Sequence, residues 1–243
     1  ETYLVGGFVR DHLLGVEKAK DIDIVAIGSG IELAQVIQKK LTNSSPIKIF
    51  KSYGTAMIQW KGINIEFVGA RKESYSRESR NPKIFSGTLE DDQKRRDFTI
   101  NALAVSLNPR NIGKLIDPFN GLKDLENGVI KTPQDPSITY SDDPLRMLRA
   151  IRFAAQLEFK IENQSLKAIK ENLNRLSIIN SERIVDELNK ILMTQTPSIG
   201  YLLLEQTGLL EKIIPELVDL KGIEEIEGQK HKDNFYHTLE VVD

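Results

Sequence analysis

The residues that most clearly suggest chemistry lie near the start of the chain. They are two glycines, an arginine and two aspartates. Asp21 and Asp23 are separated by one apolar residue. Because side chains i and i+2 of a strand share a face, we expect these two carboxylates to point the same way. Neighbouring carboxylates repel unless a cation lies between them, and Mg²⁺ bound with nucleotide phosphates meets this need. We therefore predict that Asp21 and Asp23 bind Mg²⁺, with two ions expected, in preference to forming a solvated pair at a strand edge.

The segment that precedes this pair suits a phosphate group. Gly6 and Gly7 allow the backbone to approach a ligand closely and to offer it N–H groups. Arg10 can donate bidentate hydrogen bonds to a triphosphate. Asp11 offers a simpler alternative, in which it pairs with Arg10 and only fixes the arginine rotamer. Together with the aspartates, the segment predicts a metal-dependent nucleotide site.

A third carboxylate would help to hold two metal ions at the spacing of about 3.5–4 Å that is common in two-metal sites. Glu66 is the best candidate because it is polar within the otherwise apolar segment 63–68, which is able to neighbour the strand of Asp21 and Asp23. The alternative is a solvent-facing residue of a half-buried sheet. The two interpretations are evenly balanced on the sequence.

A basic segment further along adds possible phosphate ligands. Arg95 and Arg96 offer guanidinium groups, and Asp97 and Asn101 lie four residues apart on one face of a helix predicted over 98–105. The simpler alternatives are a solvated charge run for the arginines and a helix cap for Asp97.

A polar strip is predicted in the second half of the chain, on a helix that begins near Pro144. Asp143, Arg146, Arg149 and Arg152 recur at intervals of three residues and so follow one side of a helix. An acceptor-only Asp beside a donor-only Arg matches the amine and ring nitrogen of cytosine and adenine, and rejects uracil and guanine. The alternative is a surface helix with alternating charge.

The elements that must position these residues follow from the hydrophobic pattern. We predict strands over 2–5, 21–27, 55–60 and 63–68, the last two joined in a hairpin, and helices over 8–14 and from Gly30 onward. The polar segment 71–95 lacks periodicity, which predicts a long functional or mobile loop. Beyond residue 141 the pattern is helical, with no convincing strand. An α/β half therefore gives way to an all-α half near residue 136.

The amino-acid composition excludes some classes of protein and of metal site. The 243 residues include 40% apolar and 28% charged side chains with a net charge of −2, and no cysteine. Disulfides and thiolate metal sites are thereby excluded. No apolar run approaches the roughly 20 residues of a membrane span. The chain begins with Glu1, so we expect it to be part of a longer protein. A cytoplasmic location is predicted.

Several motifs in one order resemble class II tRNA nucleotidyltransferases (CCA-adding enzymes) and their bacterial poly(A) polymerase relatives. These motifs read LVGGFVRDHLLG, DIDIV, TLEDDQKRRDFTINALA, LIDPFNG and DDPLRMLRAIRFAAQLEF. The resemblance implies a polymerase-β-like nucleotidyltransferase head with α+β fold and a mixed sheet over 1–136. An all-α neck over 137–199 and a helical body over 200–243 would follow. It also implies transfer of CMP and AMP from CTP and ATP to the tRNA 3′ end, with tRNA bound by its backbone shape.

The resemblance further implies roles for residues in the head. Asp21 and Asp23 would hold the catalytic Mg²⁺ ions. Gly7 and Arg10 would contact the triphosphate, and segment 95–97 would bind phosphate and ribose.

In the remainder of the chain, Asp143 and Arg146 would read the base edge, with Arg149 and Arg152 supporting them. Segment 71–92 would correspond to a flexible loop that helps to switch from C to A addition. The tail looks like the start of an HD-type domain, in which we expect His231 and His237 to be structural.

Other functions remain open on the sequence. Poly(A) addition and partial addition (CC only or A only) share every motif quoted above. A metal-dependent phosphohydrolase, with its activity in an HD portion and an RNA-binding head, is a more remote alternative. A small-molecule nucleotidyltransferase is disfavoured by the polar strip and the long helical half.

Overall fold

A computed structural model describes residues 1–16, 21–76, 79–222, 225–226, 229–230 and 233–243. The chain divides into two compact units. The first, here called the head unit, comprises Glu1–Tyr75, Pro82–Asn127 and Thr132–Gln134. The second, here called the helical unit, comprises Ser76–Asn81, Gly128–Lys131 and Asp135–Asp243. The further boundary at residue 199 stays a prediction.

The head unit is built on a seven-stranded mixed sheet in the order β3-β4-β5-β2-β1-β8-β9. Its strands are β1 (Thr2–Val5), β2 (Asp21–Ala26), β3 (Lys48–Phe50), β4 (Thr55–Trp60), β5 (Ile63–Gly69), β8 (Ala104–Ser106) and β9 (Leu115–Ile116). The strands β6 (Arg71–Ser76) and β7 (Ser79–Ser86) form a separate two-stranded sheet. Only β2 and β5 pair in parallel, and the other neighbours in the large sheet are antiparallel.

Helices cover this sheet and complete its core. They are α1 (Gly7–Leu13), α2 (Gly30–Gln38), α3 (Leu89–Lys94) and α4 (Gly121–Glu126). A core cluster contains Phe67, Ile58 and Ala34 without solvent exposure, and the apolar residues of α2 pack against it. The apolar side chains of β4 and β5 thus face a helix, which leaves the alternate residues of the same strands for the opposite face.

The hairpin of β4 and β5 confirms the sequence prediction. Its turn consists of Lys61 and Gly62, whose φ angles of 49° and 81° are both positive. This is the backbone of a two-residue turn that matches the twist of antiparallel strands. Because the turn fixes the register, Ile65 and Phe67 pack in the core while Glu66 is directed away from it.

Two predictions in the middle of the chain are wrong. The expected loop over 71–95 contains β6, β7 and α3. These two strands lie outside the large sheet and therefore show no alternation of apolar residues. The expected helix over 98–105 is a 3₁₀ turn (Thr99–Asn101) followed by β8. Ile100, Leu103 and Ala104 are fully buried, and a short buried apolar run does not distinguish helix from strand.

The helical unit consists mainly of α-helices, as predicted. They are α5 (Pro136–Asp142), α6 (Leu145–Leu157), α7 (Asn163–Glu171), α8 (Ser181–Leu192), α9 (Pro197–Thr207), α10 (Leu209–Ile213), α11 (Pro215–Val218) and α12 (Asn234–Val242). A 3₁₀ helix spans Leu173–Ile178. The expectation of no strand is wrong in detail, because two-residue strands pair as β10 (Val129–Ile130) with β11 (Lys160–Ile161) and as β12 (Glu225–Ile226) with β13 (Gln229–Lys230). Among the described residues, no helix is long and apolar enough to cross a lipid bilayer.

Candidate active site

The parallel pairing of β2 with β5 brings the predicted carboxylates together. Asp23 lies opposite Glu66 and Asp21 lies opposite Asn64 in the register of these strands. The Asn64 side chain donates a hydrogen bond of 2.9 Å to Asp21 Oδ1. Since Asp21 and Asp23 are two residues apart on one strand, all three carboxylates lie on the same face of the sheet. We call Asp21, Asp23 and Glu66 the carboxylate face.

Two of these carboxyl groups have perturbed acidity. Burial raises the pKa of Asp23, and the nearby carboxylates Asp21 and Asp92 raise it further against the lowering effect of Arg96. Burial also raises the pKa of Glu66, with a further contribution from the charge of Asp23. Both carboxyl groups are therefore harder to ionise than in water because negative charges crowd together in a partly desolvated place.

The donor set of this face fits a magnesium ion that brings other ligands with it. Within the described ranges, no group of three histidine, aspartate or glutamate side chains has the arrangement of a preformed metal site. Magnesium usually takes one or two carboxylates and completes its octahedron with water and substrate phosphates. Asp21 and Asp23 provide such a pair of hard oxygen donors. A cation would also relieve the crowding that raises the pKa of Asp23.

Gly6 is the glycine that the geometry requires at this face. Its φ of +76° lies in the region that side chains disfavour. A Cβ atom on Gly6 would lie 3.0 Å from Arg96 Nη1 and 3.3 Å from Asp23 Oδ2. The Gly6 N–H donates to the Leu103 carbonyl at 3.3 Å, and Gly7 begins α1. Because Gly6 has no side chain, the Arg96 guanidinium and the Asp23 carboxylate can both lie close to its backbone.

Arg10 is held inside the head unit by its neighbours. Its side chain donates to Asp11 Oδ1 and to Asn101 Oδ1, each at 2.7 Å, and only 4% of the residue is exposed. Asn101 in turn donates to Asp97 Oδ1 at 3.0 Å, which also accepts the Phe98 N–H. The pairing with Asp11, given above as the simpler alternative, is present. The proposed triphosphate contact of Arg10 stays a prediction.

Arg95 and Arg96 share a carboxylate that the sequence analysis did not single out. Asp92 is fully buried. Its Oδ1 accepts from Arg95 at 2.5 and 3.0 Å, and its Oδ2 accepts from Arg96 at 3.0 and 3.1 Å. Burial raises the pKa of Asp92, but Arg96 and Arg95 outweigh it and hold the pKa below its ordinary value. The spacing of three and four residues on a helix was the available signal. We call these three residues the Asp92 cluster.

A cavity of about 460 Å³ in the head unit joins these groups. Asp23 and Glu66 line it together with Arg71, Arg95 and Arg96. Arg71 and Arg95 also form ion pairs with Glu73. The buried Nε of Arg71 lacks a hydrogen-bond partner in the part of the chain that the structure describes. An unsatisfied cationic donor beside a cavity suits an anionic ligand.

The same cavity is lined by two aromatic residues that sequence reasoning missed. Phe50 and Tyr53 lie at the junction between β3 and β4. They occur in a short segment with no motif of its own, so only their tertiary position beside Asp23 and Glu66 indicates a role.

In the helical unit, the predicted polar strip lies on the first two-thirds of α6. Asp143 lies just before α6, whose N-cap residue is Pro144, and its Oδ1 accepts the Leu145 N–H at 3.3 Å. Arg146 is only 9% exposed. Arg152 forms an ion pair of 2.7 Å with the buried Glu187 of α8, and its guanidinium carbon lies 4.0 Å from the centre of the Phe153 ring. Arg152 is therefore fixed by helix packing.

Arg149 also contacts an aromatic ring, since its guanidinium carbon lies 5.4 Å from the centre of the Phe153 ring. His237 lies 3.6 Å from Glu240 one turn later in α12. His231, the other histidine of the tail, lies outside the described residues.

Comparison with known proteins places this geometry in a family. Residues 2–131 match the family model described as the poly A polymerase head domain. The chain belongs to this family. Residues 158–220 match a second model, described as a probable RNA and SrmB-binding site of polymerase A. The resemblance stated from the motifs is confirmed.

Relatives with assigned names agree with the family match. The chain is 41% identical over 202 residues to a CCA-adding enzyme of Ligilactobacillus salivarius (strain UCC118), covering 82% of this chain and 47% of that protein. It is 40% identical over 189 residues to an A-adding tRNA nucleotidyltransferase of Aquifex aeolicus (strain VF5), covering 77% of this chain and 22% of that protein. The chain thus spans about half of the first relative and about a fifth of the second.

A solved structure supports the fold. A tRNA nucleotidyltransferase complexed with a primer tRNA and an incoming ATP analogue matches with a TM-score of 0.75 and 34% identity, covering 90% of this chain and 62% of that one. The predicted fold, a nucleotidyltransferase head with a mixed sheet followed by a helical part, is confirmed.

Proposed function

We propose that the protein adds CMP and AMP from CTP and ATP to the 3′ end of tRNA without a nucleic-acid template, releasing pyrophosphate. The observation that carries this proposal is that Asp23 and Glu66 of the carboxylate face line one cavity with three arginine side chains in a nucleotidyltransferase head. Relatives named CCA-adding enzymes support the choice of substrates. A cytoplasmic location, predicted from the sequence, belongs to the same proposal.

Within this proposal, Asp21 and Asp23 hold Mg²⁺, with two ions expected. When bound, the metal lowers the pKa of the primer 3′-hydroxyl and neutralises charge on the phosphates. Glu66 adds a third carboxylate beside Asp23. The residues of the head thus arrange negative charge for cations on one face of the sheet.

The arginines have a complementary part. Arg71, Arg95 and Arg96 line the cavity, and they form ion pairs with the carboxylates of Asp92 and Glu73. These guanidinium groups give the cavity fixed positive charges that can bind the oxygens of a triphosphate. Such fixed positive charge stabilises the transition state of phosphoryl transfer mainly by position and electrostatics. The phosphate-binding side of the site is supported by the Gly6–Gly7 turn and by Arg10, Asp97 and Asn101.

Base selection is assigned to the polar strip of α6. Asp143 accepts and Arg146 donates, which matches cytosine and adenine, while Arg149 and Arg152 support this base-reading site. Replacing Arg146 by Ala should relax or abolish discrimination against UTP and GTP, whereas Arg146→Lys tests whether charge without the planar fork suffices. Unchanged discrimination in Arg146→Ala would remove the base-reading role.

The proposed activity is tested with tRNA transcripts that end at the discriminator base, after one C or after two C residues. Each is incubated with Mg²⁺ and with CTP and ATP separately and together, and the products are sequenced. With both nucleotides we expect each transcript to be completed to a single CCA end, and in parallel incubations we expect no addition from UTP or GTP. Long A tails would overturn this assignment in favour of poly(A) polymerase activity.

Partial addition is a second candidate, favoured by the A-adding relative of Aquifex aeolicus. An A-adding enzyme would extend only the transcript that ends in two C residues, and only with ATP. The same set of transcripts therefore separates complete CCA addition from A-only and CC-only addition.

A further inference from the structure

Two aromatic side chains lie in solvent at the rim of the candidate active site. Phe50 is 43% exposed and Tyr53 is 66% exposed, and both line the cavity that contains Asp23 and Glu66. Phe50 ends β3, and Tyr53 ends the 3₁₀ turn Lys51–Tyr53. The backbone of this turn is fixed, because Phe50 pairs with Thr55 of β4 and Gly54 closes the turn with a φ of 65°.

Packing does not account for these two rings. Among the described residues, neither ring belongs to the cluster around Val25 or to the cluster around Phe67, and Phe67 itself is completely buried. Full burial of a phenylalanine side chain stabilises a protein by about 1.5–3 kcal/mol, which this segment forgoes. Proteins bind single-stranded nucleic acid with exposed aromatic rings, on which the bases stack, and with basic side chains that contact the backbone. Here Arg71, Arg95 and Arg96 line the same cavity as the two rings.

The strand order indicates which part of the substrate meets the rings. Gly6 and Arg96 lie together next to β1. From there the order runs through β2 with Asp23 and β5 with Glu66 to β4 and β3. Phosphoryl transfer places the attacking and leaving oxygens roughly in line, on opposite sides of the phosphate. A triphosphate bound toward Gly6 and Arg96 therefore leaves the side of β4 and β3 for the attacking 3′-hydroxyl.

We propose that Phe50 and Tyr53 form a stacking platform for the 3′-terminal base of the RNA primer. This inference rests on the proposed function and adds the place where the primer end binds. Every base has a π-face, so stacking tolerates different bases. A platform of this kind therefore accepts successive primer ends as the terminal base changes during addition.

A binding experiment tests the platform without metal or nucleotide. The probe is an RNA hairpin with a single-stranded 3′ overhang that ends in 2-aminopurine, whose fluorescence falls when the base stacks. We expect quenching on the protein, and loss of most of it in the double variant Phe50→Ala/Tyr53→Ala. Affinity for the overhang should fall about 5- to 150-fold, the range for losing one stacked base. Undiminished quenching in that variant would overturn the proposal.

Two comparisons separate stacking from folding. Phe50→Trp keeps an aromatic ring and should retain the quenching, while Phe50→Leu keeps apolar bulk and should lose it. Tyr236→Ala removes another exposed tyrosine, 47% exposed and located in α12, and should leave the quenching unchanged. Urea unfolding and circular dichroism of each variant establish that it is folded. Equal quenching by the Leu and Trp variants would contradict a stacking role.

Steady-state kinetics then distinguish the primer from the incoming nucleotide. The double variant should raise KM for the RNA primer and leave KM for CTP and ATP close to that of the unaltered protein. A rise confined to KM for the nucleotides would assign the rings to the nucleoside and overturn our assignment. Absence of any nucleotide addition by the unaltered protein would instead refute the proposed function, which the binding measurement does not use.

Discussion

The carboxylate face and the Asp92 cluster both lie in the head unit, but their carboxylates have opposite electrostatic surroundings. On the carboxylate face, Asp23 and Glu66 are crowded by other carboxylates, and burial raises the pKa of each. In the Asp92 cluster, one fully buried carboxylate lies between two guanidinium groups. These groups hold its pKa below the ordinary value despite the burial.

The carboxylate face is therefore a site that needs a bound cation, whereas the Asp92 cluster is held together by its own ion pairs. In the Asp92 cluster both carboxylate oxygens of Asp92 are paired with guanidinium groups, which fixes the position of Arg95 and Arg96. The carboxylate face leaves its charges in mutual repulsion, which a bound cation would relieve. Proteins tolerate such repulsion mainly at functional sites. Arg96 connects the two, since it contacts Asp92 and lies beside Gly6 near Asp23.

The largest effect that we expect is a loss of catalysis without a loss of folding stability, on the carboxylate face. Asp23→Ala should abolish nucleotide incorporation, a loss of at least about 10²- to 10³-fold, as for removal of a key electrostatic group. It should leave tRNA binding largely intact and should not lower the free energy of unfolding, because it removes a repelled carboxylate. Incorporation assays, filter binding and urea unfolding measure the three quantities. Glu32→Gln, an exposed change on α2, is the control. Equal loss of incorporation and tRNA binding would contradict the metal role.

A change in the Asp92 cluster should instead impair folding and function together. Asp92→Asn leaves two arginines without their shared carboxylate, which should lower the free energy of unfolding by about 3 kcal/mol. KM for the nucleotide should rise because the arginines are no longer held in place. Glu90→Gln, an exposed neighbour on α3, should change stability by no more than about 0.5 kcal/mol. If Asp92→Asn were as stable as this control, the cluster would not have the positioning role described.

The contact between the two regions is tested at Gly6. Gly6→Ala places a side chain at φ +76° and ψ −142°, a strained conformation that costs about 1–3 kcal/mol, and forces a methyl group toward Arg96 and Asp23. Gly15→Ala is the matched control, because Gly15 has a φ of +77° with no atom within 4 Å of the added carbon. We expect both variants to lose stability in urea unfolding, Gly6→Ala more than Gly15→Ala, while only Gly6→Ala loses incorporation. Similar incorporation by the two variants would show that the close approach at Gly6 is not needed.

The smallest effect is the pH dependence of stability, measured without metal by urea unfolding. A carboxyl group with a lowered folded-state pKa stabilises above its unfolded pKa, near 3.9 for Asp, and loses this contribution as pH falls. The stability difference between the unaltered protein and Asp92→Asn should therefore shrink from pH 5 toward pH 3. A raised pKa has the opposite sign, so Asp23→Asn should gain stability relative to the unaltered protein as pH rises from about 4 to 7. If the stability differences of Asp92→Asn and Asp23→Asn from the unaltered protein changed with pH in the same way, the opposite pKa shifts of the two carboxyl groups would be refuted.

Local patterns were sufficient for the parts of the head in which neighbouring residues decide the structure. The hairpin around Lys61 and Gly62 follows from a turn with positive φ between two apolar runs. The shared face of Asp21 and Asp23 follows from strand periodicity. The predicted loop over 71–95 and helix over 98–105 failed because both depend on which sheet, if any, a segment joins. Polarity alone does not carry that information.

The sequence by itself determined the family, the acidic strand and the order of the motifs, because these are properties of adjacent residues. Only the tertiary structure decided that Glu66 lies beside Asp23, that Asp92 binds both Arg95 and Arg96, and that two aromatic rings border their cavity. Each of these contacts joins residues through strand pairing, side-chain rotamers or burial. Such contacts are set by the packing of the whole unit. Even the spacing of Asp92 from Arg95 and Arg96, which permits their ion pairs, does not show that Asp92 is buried.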